Sequence, residues 1–323
     1  MSATLTTLNT RNLGPLDRAC DGQAVEKAVL SSYDGSNVVS RLLRMETWRP
    51  ALMNLGYFPF RGPLAALNVV VNLEGAQRQL VFKSVTLLDV QSRHRVLDLA
   101  CGRGKSSFII HCLQPAATVV GVDLLDRNIQ VAQALFDHAQ NLSYQTGDAA
   151  DLDFPDGSFD RLLCLEAAFH FPDRAQFLQE AWRVLRPGGR MVVVDFAWKT
   201  EAHRAHRNDP ETRIVRDIWQ WEDFFSIADY ERESAAAGFR LISSSDWSSR
   251  VSNPIQQVFR CLSRLGNTRA GRQLLEWRNP LYRSISTEDW RSLATAVRAH
   301  QHVRSVSSYM AFVLEKPDPL SFR

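Results

Sequence analysis

The run Arg95-Val96-Leu97-Asp98-Leu99-Ala100-Cys101-Gly102-Arg103-Gly104-Lys105-Ser106 has the residue types and spacing for binding chemistry. A short apolar stretch ends in an acid, turns through two glycines and leads into an apolar helical stretch at 108–113. Glycine has no Cβ to hold a ligand away from the backbone. The start of a helix offers unpaired N–H groups to a carboxylate or phosphate. The pattern predicts a strand, a tight turn and a helix start that hold a nucleotide-type ligand. Two more acids follow apolar runs, Asp123 in Val122-Asp123-Leu124 and Asp148 in Gly147-Asp148-Ala149. An acid about 20 residues past the glycines can accept from both hydroxyls of a ribose. Asp148 then stands where an adenine amino group would be met.

Three cofactor classes use such a turn. A P-loop needs an earlier glycine where this chain has Leu99, so Gly104-Lys105-Ser106 lacks the loop that wraps a phosphate. A dinucleotide fingerprint needs glycine or alanine where Ser107 stands. S-adenosylmethionine (SAM) carries its charge on an amino-acid tail, and Asp98 can receive the ammonium group. The turn alone fits SAM and a dinucleotide alike.

The following residues separate them. Phe154-Pro155-Asp156-Gly157-Ser158-Phe159-Asp160 precedes a fourth apolar strand at 162–165, and Val184-Leu185-Arg186-Pro187-Gly188-Gly189 precedes a fifth at 191–196. With the three acids, these elements resemble the class I SAM-dependent methyltransferases over about residues 90–200. The resemblance implies an α/β fold, a Rossmann-like sheet of seven strands with the last antiparallel, and helical lid and cap additions. It implies SAM as cofactor, held at Asp98, Ala100, Gly102, Gly104, Asp123, Leu124, Asp148 and Ala149, with Glu166 lining it near the sulfonium. Ala100 replaces the first glycine of the family's loop, which is tolerable if its φ stays negative.

A narrower resemblance rests on Asn54-Leu55-Gly56-Tyr57 and on Glu166-Ala167-Ala168-Phe169-His170. Both are similar to elements of small-molecule O-methyltransferases, the erythromycin-sugar and phthiotriolone enzymes among them. The implied reaction is methyl transfer to a hydroxyl oxygen of a secondary metabolite. An alcohol must lose a proton, so a base is needed. His170, just past the fourth strand, is the residue assigned to it, with a pKa near neutral. C-methylation of an isoprenoid diphosphate or sterol-like alkene is the alternative, and would lean on Glu166 and aromatic faces. A non-catalytic SAM-binding scaffold is a second. No Asn-Pro-Pro-Tyr-like element follows the fourth strand, which argues against methylation of nucleobase or glutamine nitrogen.

The elements that must position these groups can be read around the core. Residues 1–22 are expected to be a disordered tail, 23–90 a helical lid, 91–248 the core, 249–305 a helical cap and 306–323 a final strand and tail. Tyr33 and Tyr57 are the lid aromatics. Trp219 and Trp221, with Phe224 and Phe225, lie in an aromatic-rich insertion at about 199–230 and suit an apolar acceptor.

Composition bounds the rest. The chain has 323 residues and a net charge of +3. No apolar run is long enough to span a bilayer. Five cysteines form no metal-spaced pairs, and no metal is expected. Three sit in apolar contexts and read as buried thiols of a reducing cytosol. Basic residues outnumber acids about two to one after residue 240, with Arg260, Arg264, Arg269, Arg272, Arg278 and Arg283 in one stretch. They read as a solvated helical face, or as contacts for an anionic substrate. The partner expected is a small-molecule acceptor, apolar or anionic. No nucleic acid and no membrane is expected, and a homodimer is compatible.

Overall fold

The computed structural model describes residues 37–45, 52–60, 63–136, 138–221 and 223–319. Tyr33, the tail at 1–22 and Cys20 lie outside them. Seven strands form one sheet: β1 (Arg95–Leu99), β2 (Thr118–Asp123), β3 (Leu142–Thr146), β4 (Phe159–Leu165), β5 (Leu185–Trp198), β6 (Arg240–Asp246) and β7 (Ser307–Glu315). Their order is β3-β2-β1-β4-β5-β7-β6. β1 to β5 pair in parallel, and β7 runs antiparallel between β5 and β6. Parallel strands need both faces covered. Accordingly, Val96, Leu97 and Leu99 of β1 are all buried.

Helices α1 (Val38–Met45) and α2 (Pro63–Leu88) precede the sheet. Crossovers α3 (Lys105–Leu113), α4 (Asp126–Phe136) and α5 (Arg174–Val184) follow within it. Then come α6 (Pro210–Trp219), α7 (Ile227–Ala236), α8 (Ser252–Gly266), α9 (Arg269–Arg278) and α10 (Thr287–Val306). Among the described residues no helix is long and apolar enough to cross a membrane.

The strand order reverses between β1 and β4. Ligands of open α/β sheets bind off the carboxyl ends of strands at such a switch point. Asp98 near the end of β1 and Glu166 just past β4 flank it. A second apolar cluster lies outside the sheet core and joins Val39, Leu42, Phe259, Leu275 and Leu293 of the added helices. The cap therefore has a core of its own, and α10 packs against both α6 and α8.

Candidate active site

The glycine turn is built as a cradle. Gly102 and Gly104 have φ of 56° and 79°, and so does Ala100 at 57°. The expected negative φ at Ala100 is thus corrected: it holds a left-handed conformation that costs an L-residue roughly 1–2 kcal/mol. Gly104 is needed for packing. A Cβ there would lie 2.6 Å from the Ala132 Cβ and 2.7 Å from the Tyr144 ring. The Tyr144 hydroxyl also donates to the Gly104 carbonyl at 2.8 Å.

Asp98 is buried, and its Oδ2 accepts from the Ser106 and Ser107 hydroxyls, both at 2.6 Å. Burial pushes its carboxyl up to about 6 against the pull of those hydroxyls. Asp123 Oδ2 accepts from Gly102 N at 2.8 Å, and Oδ1 from Leu125 N and Asn128 Nδ2, each at 3.0 Å. Burial raises its pKa as well. Asp123 is thus a brace for the turn as well as a candidate ribose ligand. Asp148 is exposed, with Oδ1 accepting from Ala150 N at 2.9 Å. Leu124 is 42% exposed and Ala149 is buried. Bent glycines, two buried acids that keep lone pairs to spare, and a third, open acid at the next strand end fit SAM.

A cavity of about 170 Å³ opens beside this turn, with Arg103 of the turn and Glu166 both on its wall. Aromatic rings form one side. Phe196 stacks on Phe224 at 5.6 Å, and Trp221 stacks on Phe224 at 4.0 Å. The Trp221 indole nitrogen is buried and has no hydrogen-bond partner among the described residues. Helices supply the other side in regular steps: Ile255, Gln256 and Phe259 from α8, and Val297, His300 and Arg304 from α10. His300 Nε2 accepts from the Trp219 indole at 2.8 Å, while Nδ1 faces the Ala296 carbonyl at 2.7 Å. It is therefore neutral with its proton on Nδ1, and burial lowers its pKa.

Glu166 joins the two short elements of the narrower resemblance. Its carboxylate accepts from Leu55 N at 3.1 and 3.2 Å, and from the Tyr309 hydroxyl. Burial raises its pKa to about 7. Its backbone is left-handed at φ 52°. The segment it grips is also fastened to α2: Tyr57 N donates to Ala76 O at 2.8 Å, and Gln77 Nε2 to Asn54 O at 2.7 Å. Met53 lies over Gly102, its methyl 2.8 Å from where a Cβ would stand.

The structure moves some expected residues away from the cavity and keeps others at it. His170 is not on the cavity wall; Phe169, its neighbour in the short 3-10 turn Ala168–His170, is. The His170 Nδ1 faces the Gln220 carbonyl at 3.1 Å, and burial lowers its pKa to about 4. Buried Arg174 fixes this turn through Ala168 O at 2.7 Å and also reaches Asp223 O. Tyr57 does not line the cavity but packs edge-on against Trp247 at 5.4 Å, whereas Trp219 and Trp221 do line it. Of the six clustered arginines, Arg260, Arg264, Arg269, Arg278 and Arg283 are exposed and none is on the wall. Cys101 and Cys164 are buried, but Cys112 on α3 is exposed, as is Cys261.

Sequence reading passed over Arg103, Gln256, His300 and Arg304. The signal was present: Leu293, Val297, His300 and Arg304 follow helical spacing, so two polar residues interrupt an apolar stripe.

Residues 97–193 match a family model described as a methyltransferase domain. Methyltransferase GfsG of Streptomyces halstedii is 32% identical over 53% of this chain and 59% of that protein. Erythromycin 3''-O-methyltransferase of Saccharopolyspora erythraea is 32% identical over 46% of this chain and 47% of that one. The chain thus spans about half the length of these curated relatives. A geranyl diphosphate C-methyltransferase from Streptomyces coelicolor A3(2), solved with Mg2+, geranyl diphosphate and S-adenosyl-L-homocysteine, superposes with a TM-score of 0.63. It is 15% identical, over 86% of this chain and 98% of that chain, a likeness of fold. The sheet core has the Rossmann-like fold of class I methyltransferases, and residues 97–193 within it match a methyltransferase domain.

Proposed function

We propose that this protein transfers a methyl group from SAM to a hydroxyl oxygen of a small, largely apolar molecule held in the cavity. The observation that carries the reading is that Arg103 of the glycine turn and Glu166 share the wall of an aromatic-lined chamber at the switch point. Asp123 would hold the ribose, Asp98 the ammonium group, and Asp148 the adenine edge. SAM when bound supplies a methyl carbon that is already electrophilic on a sulfonium. What remains for the protein is to align the acceptor, exclude water and take a proton. Rings from Phe196, Phe224 and Trp221 exclude water and orient a flat acceptor.

Glu166 rather than His170 is the residue assigned to take the proton. It is on the wall, and a carboxylate has about four lone-pair sites, not all used by Leu55 N and Tyr309. A pKa of about 7 matches it to work near neutral pH. Only the ionised carboxylate accepts a proton, so turnover should rise with pH and level off above about 7. Glu166→Gln should lower turnover roughly 10²–10⁴-fold, flatten that profile and keep SAM affinity within a few-fold. His170→Ala should cost far less. Near-parent turnover in Glu166→Gln would remove Glu166 from the reaction.

A second reading has one observation in its favour. A carboxylate among aromatic faces could also stabilise a carbocation formed by C-methylation of an alkene. Assays of a phenol and an alkene acceptor side by side separate the two.

A further inference from the structure

Arg304 stands on the wall of the apolar cavity with no acid among the described residues to balance it. Its side chain is held by Asn253 Oδ1 on α8, a neutral acceptor, and among the described residues it makes no ion pair with a carboxylate. Arg260 adds a second positive charge close by. It stands two turns along α8 from Asn253, on the same face, and is exposed. It too makes no ion pair among the described residues. Burial and Arg260 both lower the Arg304 pKa, and no neighbouring acid opposes them.

Other arginines of the chain are compensated. Arg183 meets Glu180 and Asp156, Arg232 meets Asp229 and Glu201, and Arg41 meets Asp289. A partly buried cation normally has a hydrogen-bonded counter-charge, because desolvation is costly. None of the described residues supplies that counter-charge, and an anionic molecule entering the cavity would. Arginine's planar fork suits a planar or tetrahedral oxyanion.

We infer that the acceptor is an aromatic or polycyclic molecule bearing a carboxylate or phosphate, and that Arg304, backed by Arg260, docks this group. The inference rests on the cavity being the acceptor chamber. The anion would anchor one end of the molecule on α10, while its apolar body lies against Phe196, Phe224 and Trp221. Arg304 thereby sets which molecules enter and takes no part in methyl transfer.

The test uses three probes of one shape on full-length protein saturated with S-adenosylhomocysteine: 2-naphthoate, 2-naphthyl phosphate and neutral 2-naphthamide. Calorimetry should find one or both anions bound about tenfold or more tighter than the amide. The arm that wins tells carboxylate from phosphate. Arg304→Gln should bring the anion down to the level of the amide and leave the amide unchanged. Arg304→Lys, which keeps the charge and lacks the fork, should fall between and controls for loss of fold. Anions bound no tighter than the amide by the parent protein, or a preference that survives in Arg304→Gln, would overturn the inference. Titration of S-adenosylhomocysteine beforehand reads the cofactor site alone. Its failure would count against the methyltransferase reading, while the probe comparison still decides whether this cavity selects anions.

Discussion

Ala100 holds φ 57° in a turn whose other bends are glycines. The conformation persists because the strand before it and the helix after it leave the chain no other path. Glycine adopts it without strain but loses more entropy on folding, so the two effects partly offset each other. Ala100→Gly should therefore raise unfolding stability by roughly 0.5–1 kcal/mol, read as a higher urea midpoint at unchanged slope. A lower midpoint would mean that the Ala100 methyl, which packs on the sheet core, is worth more than the strain. Residue types announced the turn, and the acids Asp98, Asp123 and Asp148 stand at the ends of their strands as read. What spacing could not reveal is side-chain direction. In the 3-10 turn after β4, neighbouring residues face different ways, so Phe169 reaches the cavity and His170 turns to Gln220.

At the scale of elements, the segment 52–58 is the part on which the site most depends. It lies across α2, hands Leu55 N to Glu166 and sets Met53 over Gly102. Gly56 makes that path feasible. It has φ 87°, and a Cβ would come within 3.0 Å of Ala76 Cβ and Gln77 N. Gly56→Ala should cost about 1–3 kcal/mol of stability and leave the segment open to limited proteolysis at concentrations where the parent resists. Parent-like melting and digestion would show that the segment does not brace the site. Asn54-Leu55-Gly56-Tyr57 and Glu166 were each visible as short elements. Their contact was not, because a hydrogen bond between residues 111 apart leaves no local periodicity. Strands β1, β2, β4 and β7 and the cap helices could be read from apolar runs and helical spacing. β5 starts earlier than its apolar run, at Leu185. It does so because Leu185 pairs with Phe159 of β4 ahead of a register shift, while Gly188 N and Gly189 O both bond to Lys316 and tie the Arg-Pro-Gly-Gly turn to the chain just past β7.

Among the described residues a sheet core and a cap core stand apart, and the cavity lies between the cap core and the aromatic cluster of Phe169, Trp221 and Phe224. The division explains what the sequence showed and what it hid. The sheet side is made of consecutive strand ends, so its candidate ligands follow one another in order along the chain. The cap side is assembled from α1, α6, α8 and α10, which are far apart in sequence, and its polar groups look like defects in apolar stripes until the helices are brought together. Both halves have meaning only if the sheet side binds SAM. Calorimetric titration of the purified protein with SAM, with NAD as the comparison ligand, tests this most directly. SAM should bind at one site per chain and NAD should not. Asp123→Ala, shown to be folded by its melting curve, should weaken SAM about tenfold or more, since charge-assisted hydrogen bonds to a ribose are each worth roughly 1.5–3 kcal/mol. Preferential binding of NAD, or SAM affinity unchanged in Asp123→Ala, would contradict the account.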